Sequence, residues 1–543
     1  MCGIFAYITK GNINAKICEI LQNFNKIQHR GPDATDYVII DDKIFLGFHR
    51  LAINDLSEHG MQPFIYNDLY CICNGEIYNH KELEEMIQIN SLNSNSDCEI
   101  ILPLFEHLNY NIEDLCKYLN GEYAFIIYNK TTGILYVGTD ELRVRPIFIG
   151  YKNNDDDYMI CSEMKGIKSM CENIYAVPSG TFMCSENNRK FTKYYHFPSP
   201  NTIGDNYAMA TDKIRDLFIK SVSRKYKYSD APVGFLLSGG LDSSLCCAIA
   251  ANIAKPKKIR TFSVGFSKNS SDIINSRRVA EFLDTEHTEI IFDVSDGVNA
   301  IKDVIWYLET FDQTTIRAAT GMFLLAKWIK ENTDIKVLIS GEVADELFQG
   351  YIYFKYQPTS LCGNKESIKR LKDIYMFDGL RADRAISANS LELRVPFFDV
   401  DLINYVLSLD PDFINPNNFD GKIEKKILRD AFIGWLPNEI LNRHKEAFTD
   451  GVSSENGSEW VNSLKKWADE IIDDEEFGKC EHIHIPPRNK EEHAYRIIFE
   501  EHYKNNSNVI KYQWLPKFEW LPKNLQNKNI DSSATALIDL YKK

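Results

Sequence analysis

The chain has 543 residues, 44% hydrophobic and 26% charged, a balance that excludes a disordered or fibrous protein and allows two or three ordinary domains. Lys plus Arg number 62 against Asp plus Glu 77, giving a formal charge of −15 without a long basic block, which argues against nucleic acid and anionic membranes as partners. There is no run of about 18 apolar residues, and the opening GIFAYI is too short for a signal-peptide core, so a cytoplasmic protein is expected.

The chain opens MCGIFAY, with a cysteine second. A methionine ahead of a small residue is normally trimmed, so the mature chain is expected to begin at Cys2, with a free amine beside a thiol. Such a residue is a nucleophile that carries its own base. Position alone is weak evidence, because any residue can follow Met1.

Up to about Asn187 the sequence reads as short alternating strands, among them DKIFLGF, LYCIC, YAFIIYN and GILYVGT, with a helical stretch near Ala15 to Gln28. That string predicts packed antiparallel sheets. The polar, proline-bearing HFPSPNTIGDN at 196 to 206 then reads as a linker, giving expected domains of 1–190 and 208–543 with 191–207 between them. From Ala231 the rhythm changes to apolar strands alternating with longer helices: VGFLL, SLCCAIAANIAK, RTFSVGF, SRRVAEFL, HTEIIF and KVLIS. This predicts a doubly wound parallel sheet, whose ligands bind at the carboxyl ends of strands.

The loop after VGFLL is SGGLDSS, Ser238 to Ser244. Two glycines allow backbone amides to approach an anion, the hydroxyls add donors, and the following helix N-terminus adds partial positive charge, so the loop is expected to cradle phosphate. It lacks the lysine and spacing of a Walker A loop, and a Gly-Ser turn that merely caps a helix is the bland alternative. The loop after KVLIS supplies Ser340, Gly341, Glu342, Asp345 and Glu346. Asp242 and Asp345 form a candidate Mg²⁺ pair, since Mg²⁺ takes few carboxylates and bridges phosphate oxygens. Thirteen irregularly placed cysteines suggest buried thiols rather than a disulfide framework. Cys480, His482 and His484 alternate in CEHIHIP, which reads as a strand with outward polar residues rather than a zinc site, for want of a nearby second ligand pair.

These motifs together resemble the glutamine-hydrolysing asparagine synthetases, an N-terminal-nucleophile glutaminase joined to an ATP half of the PP-loop pyrophosphatase group. The resemblance rests on MCGIFA, HRGPD, HRLAIND, NGEIYN, SDCE, SEMK, SGGLDSS, TTIRA, SGExxDE, LELRVPFFD and KEAFTDG, in order from Cys2 to Gly451, and more loosely on the tail SSATALIDLYKK. It implies that Cys2 attacks the glutamine side-chain amide while Asn74 and the Gly75 N–H form an oxyanion hole. Arg50 and Asp97 would bind the glutamine zwitterion, with Leu51, Ala52, Ile53, Asn54 and Glu76 lining the pocket.

For the second half it implies adenylation of aspartate by ATP, release of pyrophosphate with Mg²⁺, and attack by ammonia carried through an internal apolar tunnel. Ser238, Gly239, Gly240, Asp242, Ser243 and Ser244 would hold pyrophosphate, and Leu236, Val264, Ser340 and Gly341 the nucleotide. Glu342 and Lys445 match catalytic positions, and Thr314, Thr315 and Arg317 match residues near the aspartate site and the passage. Small-molecule substrates and a possible homodimer are the implied partners. The sequence departs from the family at Thr139, usually arginine, and at Arg143, Val343 and Gln349, usually glycine. If the backbone needs positive φ there, valine is strained. A different acceptor, as in β-lactam-forming relatives, is opposed by TTIRA and LELRVPFFD. An interaction protein without turnover is opposed by the presence of every proposed catalytic group.

Overall fold

The computed structural model describes residues 1–89, 91–152, 157–453, 459–523 and 526. The SSATALIDLYKK tail therefore lies outside the described residues. The chain divides into two compact units: Met1–His196 with Tyr228–Pro232 and Ile386–Glu392, and the remainder of Phe197–Lys543.

The first unit contains two six-stranded antiparallel sheets. One places β1 (Gly3–Ile8) beside β2 (Ile44–Arg50), in register Gly3 to His49. The other carries β3 (Leu69–Ile77), paired along its length with Gly121–Asn129. The expected alternation decides the layers. Ile72, Ala124 and Ile126 share a core with Ile4, Ala6 and Leu46 of the facing sheet, whereas Cys71, Cys73, Phe125 and Ile127 bury against Ile101, Leu104 and Leu115 of flanking helices. Period-two side-chain direction sends successive residues of one strand into two cores. On the outer face of the first sheet, Phe5 and Phe45 pack with Phe24 of the helix Ile17–Phe24 at centroid distances of 5.7–5.9 Å.

The second unit is built on a five-stranded sheet in which β4 (Val233–Leu236) lies between β5 (Arg260–Gly265) and β6 (Val337–Ile339), all three parallel. Glu286–Ile291 continues the parallel order beyond β5. α1 (Leu241–Ala254) follows β4 and is apolar all round, as a helix buried in the core must be. α2 (Gln313–Asn332) is likewise mostly buried. Among the described residues no helix is long and apolar enough to cross a membrane. All 13 cysteines are free, as their irregular spacing suggests.

One element differs from expectation. CEHIHIP forms no strand but a loop in which Ile483 is 97% exposed and Ile485 has φ 51°. The apolar positions of its alternation have no neighbouring strand to bury against, and alternation without a partner does not make a sheet.

The glycine departures fall on backbone that favours glycine: φ is 55° at Arg143, 76° at Val343 and 54° at Gln349. Each replacement side chain makes contacts that offset the strain. Arg143 donates to the Val177 carbonyl at 2.8 Å and covers Phe148, Gln349 accepts from Gln357 at 2.8 Å, and Val343 is 3% exposed. A buried valine contributes roughly 1.5–3 kcal/mol, and left-handed strain costs of order 1–3 kcal/mol, so the two nearly cancel at position 343. Val343→Gly is expected to shift the urea midpoint far less than Val337→Gly in β6, where the backbone is extended and a glycine relieves nothing.

Candidate active site

In the first unit Cys2 precedes β1 at the end of its ladder with β2. The Leu51 N–H donates to Cys2 Sγ at 3.4 Å, and Arg30 Nε donates to the Cys2 carbonyl at 2.9 Å. Burial pushes the thiol up to about 11, with Glu392 and Glu76 adding to the effect and the terminal amine and the Leu51 N–H opposing it. Met1 is wholly buried, and burial lowers its amine to about 6.

β3 delivers Asn74, Gly75 and Glu76 in sequence, and two of the expected pocket residues, Asn54 and Asp97, meet it. Asn54 Nδ2 donates to Glu76 Oε2 at 2.5 Å and to Asp97 Oδ1 at 3.0 Å, while the Ile77 N–H donates to Asp97 Oδ2 at 2.5 Å. Asn74 is 1% exposed, and its Nδ2 has no hydrogen-bond partner, a costly state for a buried donor. Gly75 lies against the neighbouring strand so closely that a Cβ would stand 2.4 Å from the Glu122 carbonyl oxygen. Arg50 is 6% exposed and its guanidinium donates to the Ser57 carbonyl at 2.6 Å and to that of Asp55. Leu51 and Ile53 are buried beside it, and the Ala52 N–H donates to Asp33 at 2.8 Å.

In the second unit a cavity opens at the carboxyl ends of β4, β5 and β6. Leu236, Ser238, Gly240, Asp242, Ser243, Val264, Thr314, Ser340, Gly341, Glu342, Asp345 and Lys445 all line it. Gly239 turns the loop at φ 72°, where a Cβ would lie 2.4 Å from the Asn275 backbone. Gly341 approaches α1 so closely that a Cβ would lie 2.5 Å from Ser243 N. The start of α1 has no side-chain cap, so its first N–H groups face the cavity loop without a competing acceptor. Ser238 and Ser243 hydroxyls bond each other at 3.0 Å across this turn. Ser244 is fully buried and does not line the cavity.

Three expected positions separate. Thr314 lines the cavity, but Thr315 donates its N–H at 2.9 Å and its hydroxyl at 2.7 Å to Asp312, the residue that caps α2, and Arg317 is held in a buried ion pair with Glu491 at 2.6 Å. Thr315 lies one residue, about 100°, round the helix from Thr314, whereas Arg317 lies three residues on, near the same side, and is held on Glu491 instead of lining the cavity.

Sequence reasoning named Lys445 but missed Lys425, the other cation that organises the acids. Lys425 Nζ stands 2.5 Å from Asp242 Oδ2 and 2.6 Å from Asp345 Oδ1, and Lys445 Nζ is 2.8 Å from Asp345 Oδ2. Burial works against the Asp345 charge, but Lys425 and Lys445 outweigh it and hold its carboxyl well below the usual range. Asp242 goes the other way: burial and the Asp345 charge raise it against Lys425 and Lys445. Its Oδ1 is buried with no hydrogen-bond partner. Arg381 pairs with Glu342, whose carboxyl burial pushes up against the arginine's pull, and Arg443 donates to the Gly239 carbonyl at 3.2 Å. Asp272 is pushed up to about 7, chiefly by burial, with Arg443 opposing. The only signal for Lys425 was its place in the charged run KIEKK, which reads equally as a solvated face.

A glutamine amidotransferase domain profile matches residues 1–195, and an asparagine synthase profile matches 213–368 and 363–523. A probable glutamine-hydrolysing asparagine synthetase of Acanthamoeba polyphaga mimivirus is 40% identical over 99% of this chain and 100% of that protein. Glutamine-hydrolysing asparagine synthetases of Cricetulus griseus and Arabidopsis thaliana are each 37% identical, over 95% and 93% of this chain and 96% and 87% of theirs. The two profiles thus define a glutamine amidotransferase domain followed by an asparagine synthase domain, the latter built on a parallel sheet. The chain belongs to the asparagine synthase family.

Lys425→Met leaves the two buried carboxylates sharing only Lys445, and removing one partner of a buried pair costs roughly 3–5 kcal/mol. The Asp345 carboxyl is depressed in the folded state, so its contribution is present at neutral pH and fades as pH falls through the folded value. The stability gap between wild type and variant, read by urea denaturation without ligands, should be widest near pH 7 and shrink in acid.

Proposed function

We propose that this chain makes L-asparagine from L-aspartate and ATP, taking nitrogen from glutamine, with the first unit hydrolysing glutamine and the second forming the amide. The observation that carries the reading is the union in one chain of a cysteine at position 2 and the orphan Asn74 donor in the first unit with a cavity in the second unit lined by the SGGLDSS loop, Asp242 and Asp345. The full-length similarity to glutamine-hydrolysing asparagine synthetases supports the same assignment.

After removal of Met1, the Cys2 thiol passes its proton to the new α-amine and the sulfur attacks the glutamine amide carbon. Asn74 Nδ2, buried and without a partner, is a donor poised for charge that arises only in the tetrahedral intermediate. The protonated amine returns its proton to the leaving nitrogen, and ammonia departs. Water then releases glutamate from the thioester. Asp97, Glu76 and Arg50 supply complementary charge for the two ends of the glutamine backbone.

In the second unit the aspartate side-chain carboxylate attacks the α-phosphorus of ATP, and pyrophosphate leaves. The resulting β-aspartyl-AMP carries an acyl carbon that ammonia can attack, expelling AMP. Ser238, Ser243 and the first N–H groups of α1 hold the departing phosphates, and Lys445 neutralises charge that grows on them. Asp242 and Asp345 suit Mg²⁺: both are oxygen donors at the cavity, and Asp242 Oδ1 lacks any hydrogen bond. When bound there, Mg²⁺ would neutralise phosphate charge. Lys425 holds the pair together until then. Thirteen free thiols suit a reducing compartment such as the cytoplasm.

Cys2→Ala should abolish glutamine-dependent synthesis and leave synthesis from added ammonia within about two-fold of wild type, since the two reactions use separate units. Asp242→Asn should do the reverse, retaining glutaminase activity and losing asparagine, AMP and pyrophosphate by well over about 10²-fold, the scale on which catalytic electrostatic partners act. Product analysis by mass spectrometry reads both. Failure of the wild type to form asparagine would sink the assignment.

A further inference from the structure

Away from that cavity, three metal-ligating side chains of the second unit converge. Cys480 and His482 lie on the loop after α3 (Asp474–Gly478), and His493 stands in the first turn of α4 (Lys490–Tyr503). One ligand atom from each lies within 4.8 Å of the other two. The imidazoles of His482 and His493 are 5.9 Å apart between centroids, and Phe477 backs His493 at the same distance. His493 is 5% exposed, and its Nδ1 has no hydrogen-bond partner, which leaves a buried polar atom unsatisfied in the bare protein. His484, the third member of the sequence pattern, is not part of this group, because its Nε2 bonds the Ile510 carbonyl at 2.7 Å. The second ligand pair that CEHIHIP lacked in sequence is supplied in part by the helix thirteen residues beyond Cys480.

We propose that Cys480, His482 and His493 bind one Zn²⁺, clamping the 479–489 loop to α4. One thiolate and two imidazoles form a borderline-soft set that favours Zn²⁺ over the Mg²⁺ of the nucleotide cavity. Tetrahedral Zn²⁺, with Zn–S of about 2.3 Å and Zn–N of about 2.0–2.1 Å, needs ligand atoms roughly 3.5 Å apart, a closure the partly exposed Cys480 and His482 can make on a loop. Glu476 and Glu481 line the same depression and offer a carboxylate or a held water for the fourth position. Binding replaces the Cys480 thiol proton with the metal and releases that proton to solvent.

The test uses the full-length protein, stripped with chelator, reduced, and titrated with Co²⁺ alone under anaerobic conditions. One equivalent should produce a sulfur-to-metal charge-transfer band with the intense visible bands of tetrahedral Co²⁺, and Zn²⁺ should bleach them. Cys480→Ser should lose the charge-transfer band, and His482→Asn should weaken binding by roughly ten-fold or more. Both positions are partly exposed, so far-ultraviolet circular dichroism should not change. Zn²⁺ should also raise the melting temperature of the wild type and leave that of a variant carrying both Cys480→Ser and His482→Asn unmoved. Absence of the bands in the wild type, or their persistence in Cys480→Ser, would overturn the site. Neither readout depends on glutamine or ATP turnover, so the proposal stands or falls apart from the assignment above.

Discussion

The second unit is organised around two carboxylates that cannot both stay charged in a buried cavity without cations. Asp242 and Asp345 arrive from different strand ends, and the low dielectric of their surroundings magnifies both their repulsion and their attraction to a shared positive charge. Lys425 meets that requirement by standing 2.5–2.6 Å from one oxygen of each. It does so from a backbone at φ 56°, immediately before a short helix, a conformation an ordinary residue adopts only when its surroundings over-determine it. Much else at the cavity serves the same end. Gly341 brings the β6 loop into contact with the first turn of α1, and Gly239 bends the preceding loop, so two acids and the helix N-terminus face one volume.

Under the proposed function, Lys425 also explains how the bare protein would tolerate a site for phosphates and a divalent cation. A cavity that must receive concentrated negative charge needs positive charge in reserve, yet the acids that hold a metal would repel the same phosphates. Placing lysines between the acids lets one set of groups satisfy the other before ligands arrive. Arg381 against Glu342 and Arg443 against Glu446 repeat the arrangement at the rim.

The sheet architecture was legible because each segment obeyed a single period. YAFIIYN alternates, and its odd and even residues do enter two different cores; SLCCAIAANIAK has no polar face and is buried on all sides. The site was legible where backbone geometry imposes residue type, as at SGGLDSS, and illegible where it depends on side chains meeting across the fold. Lys425 and Arg381 carry no local pattern, since a charged residue near charged neighbours reads as solvent-facing until tertiary contacts bury it. Thr315 and Arg317 show the converse. Their neighbour Thr314 faces the cavity, but the helix turn brings Thr315 to the capping carboxylate of Asp312, and a tertiary ion pair with Glu491 takes Arg317. CEHIHIP alternated without a partner strand, and alternation is a signal only when a second strand exists to receive it.

Under the proposed function, burial in the first unit makes Cys2 a poor nucleophile while Met1 is in place, and the chemistry then requires Met1 to be removed. A thiol pushed up to about 11 is ionised at pH 7 to only on the order of one part in 10⁴. With Met1 in place, the nitrogen of Cys2 is a peptide amide and cannot take the proton. Removal of Met1 creates an amine on the same residue, two bonds from the carbon that bears the sulfur, and the transfer becomes intramolecular. Nor does a resting thiolate have to be stabilised: the negative charge that matters appears on the substrate oxygen, and Asn74 Nδ2 is held buried without any competing acceptor. A high thiol pKa and an unsatisfied donor are each unfavourable in the resting protein. Joined to an N-terminal amine, they describe a site in which charge is moved during attack instead of stored before it.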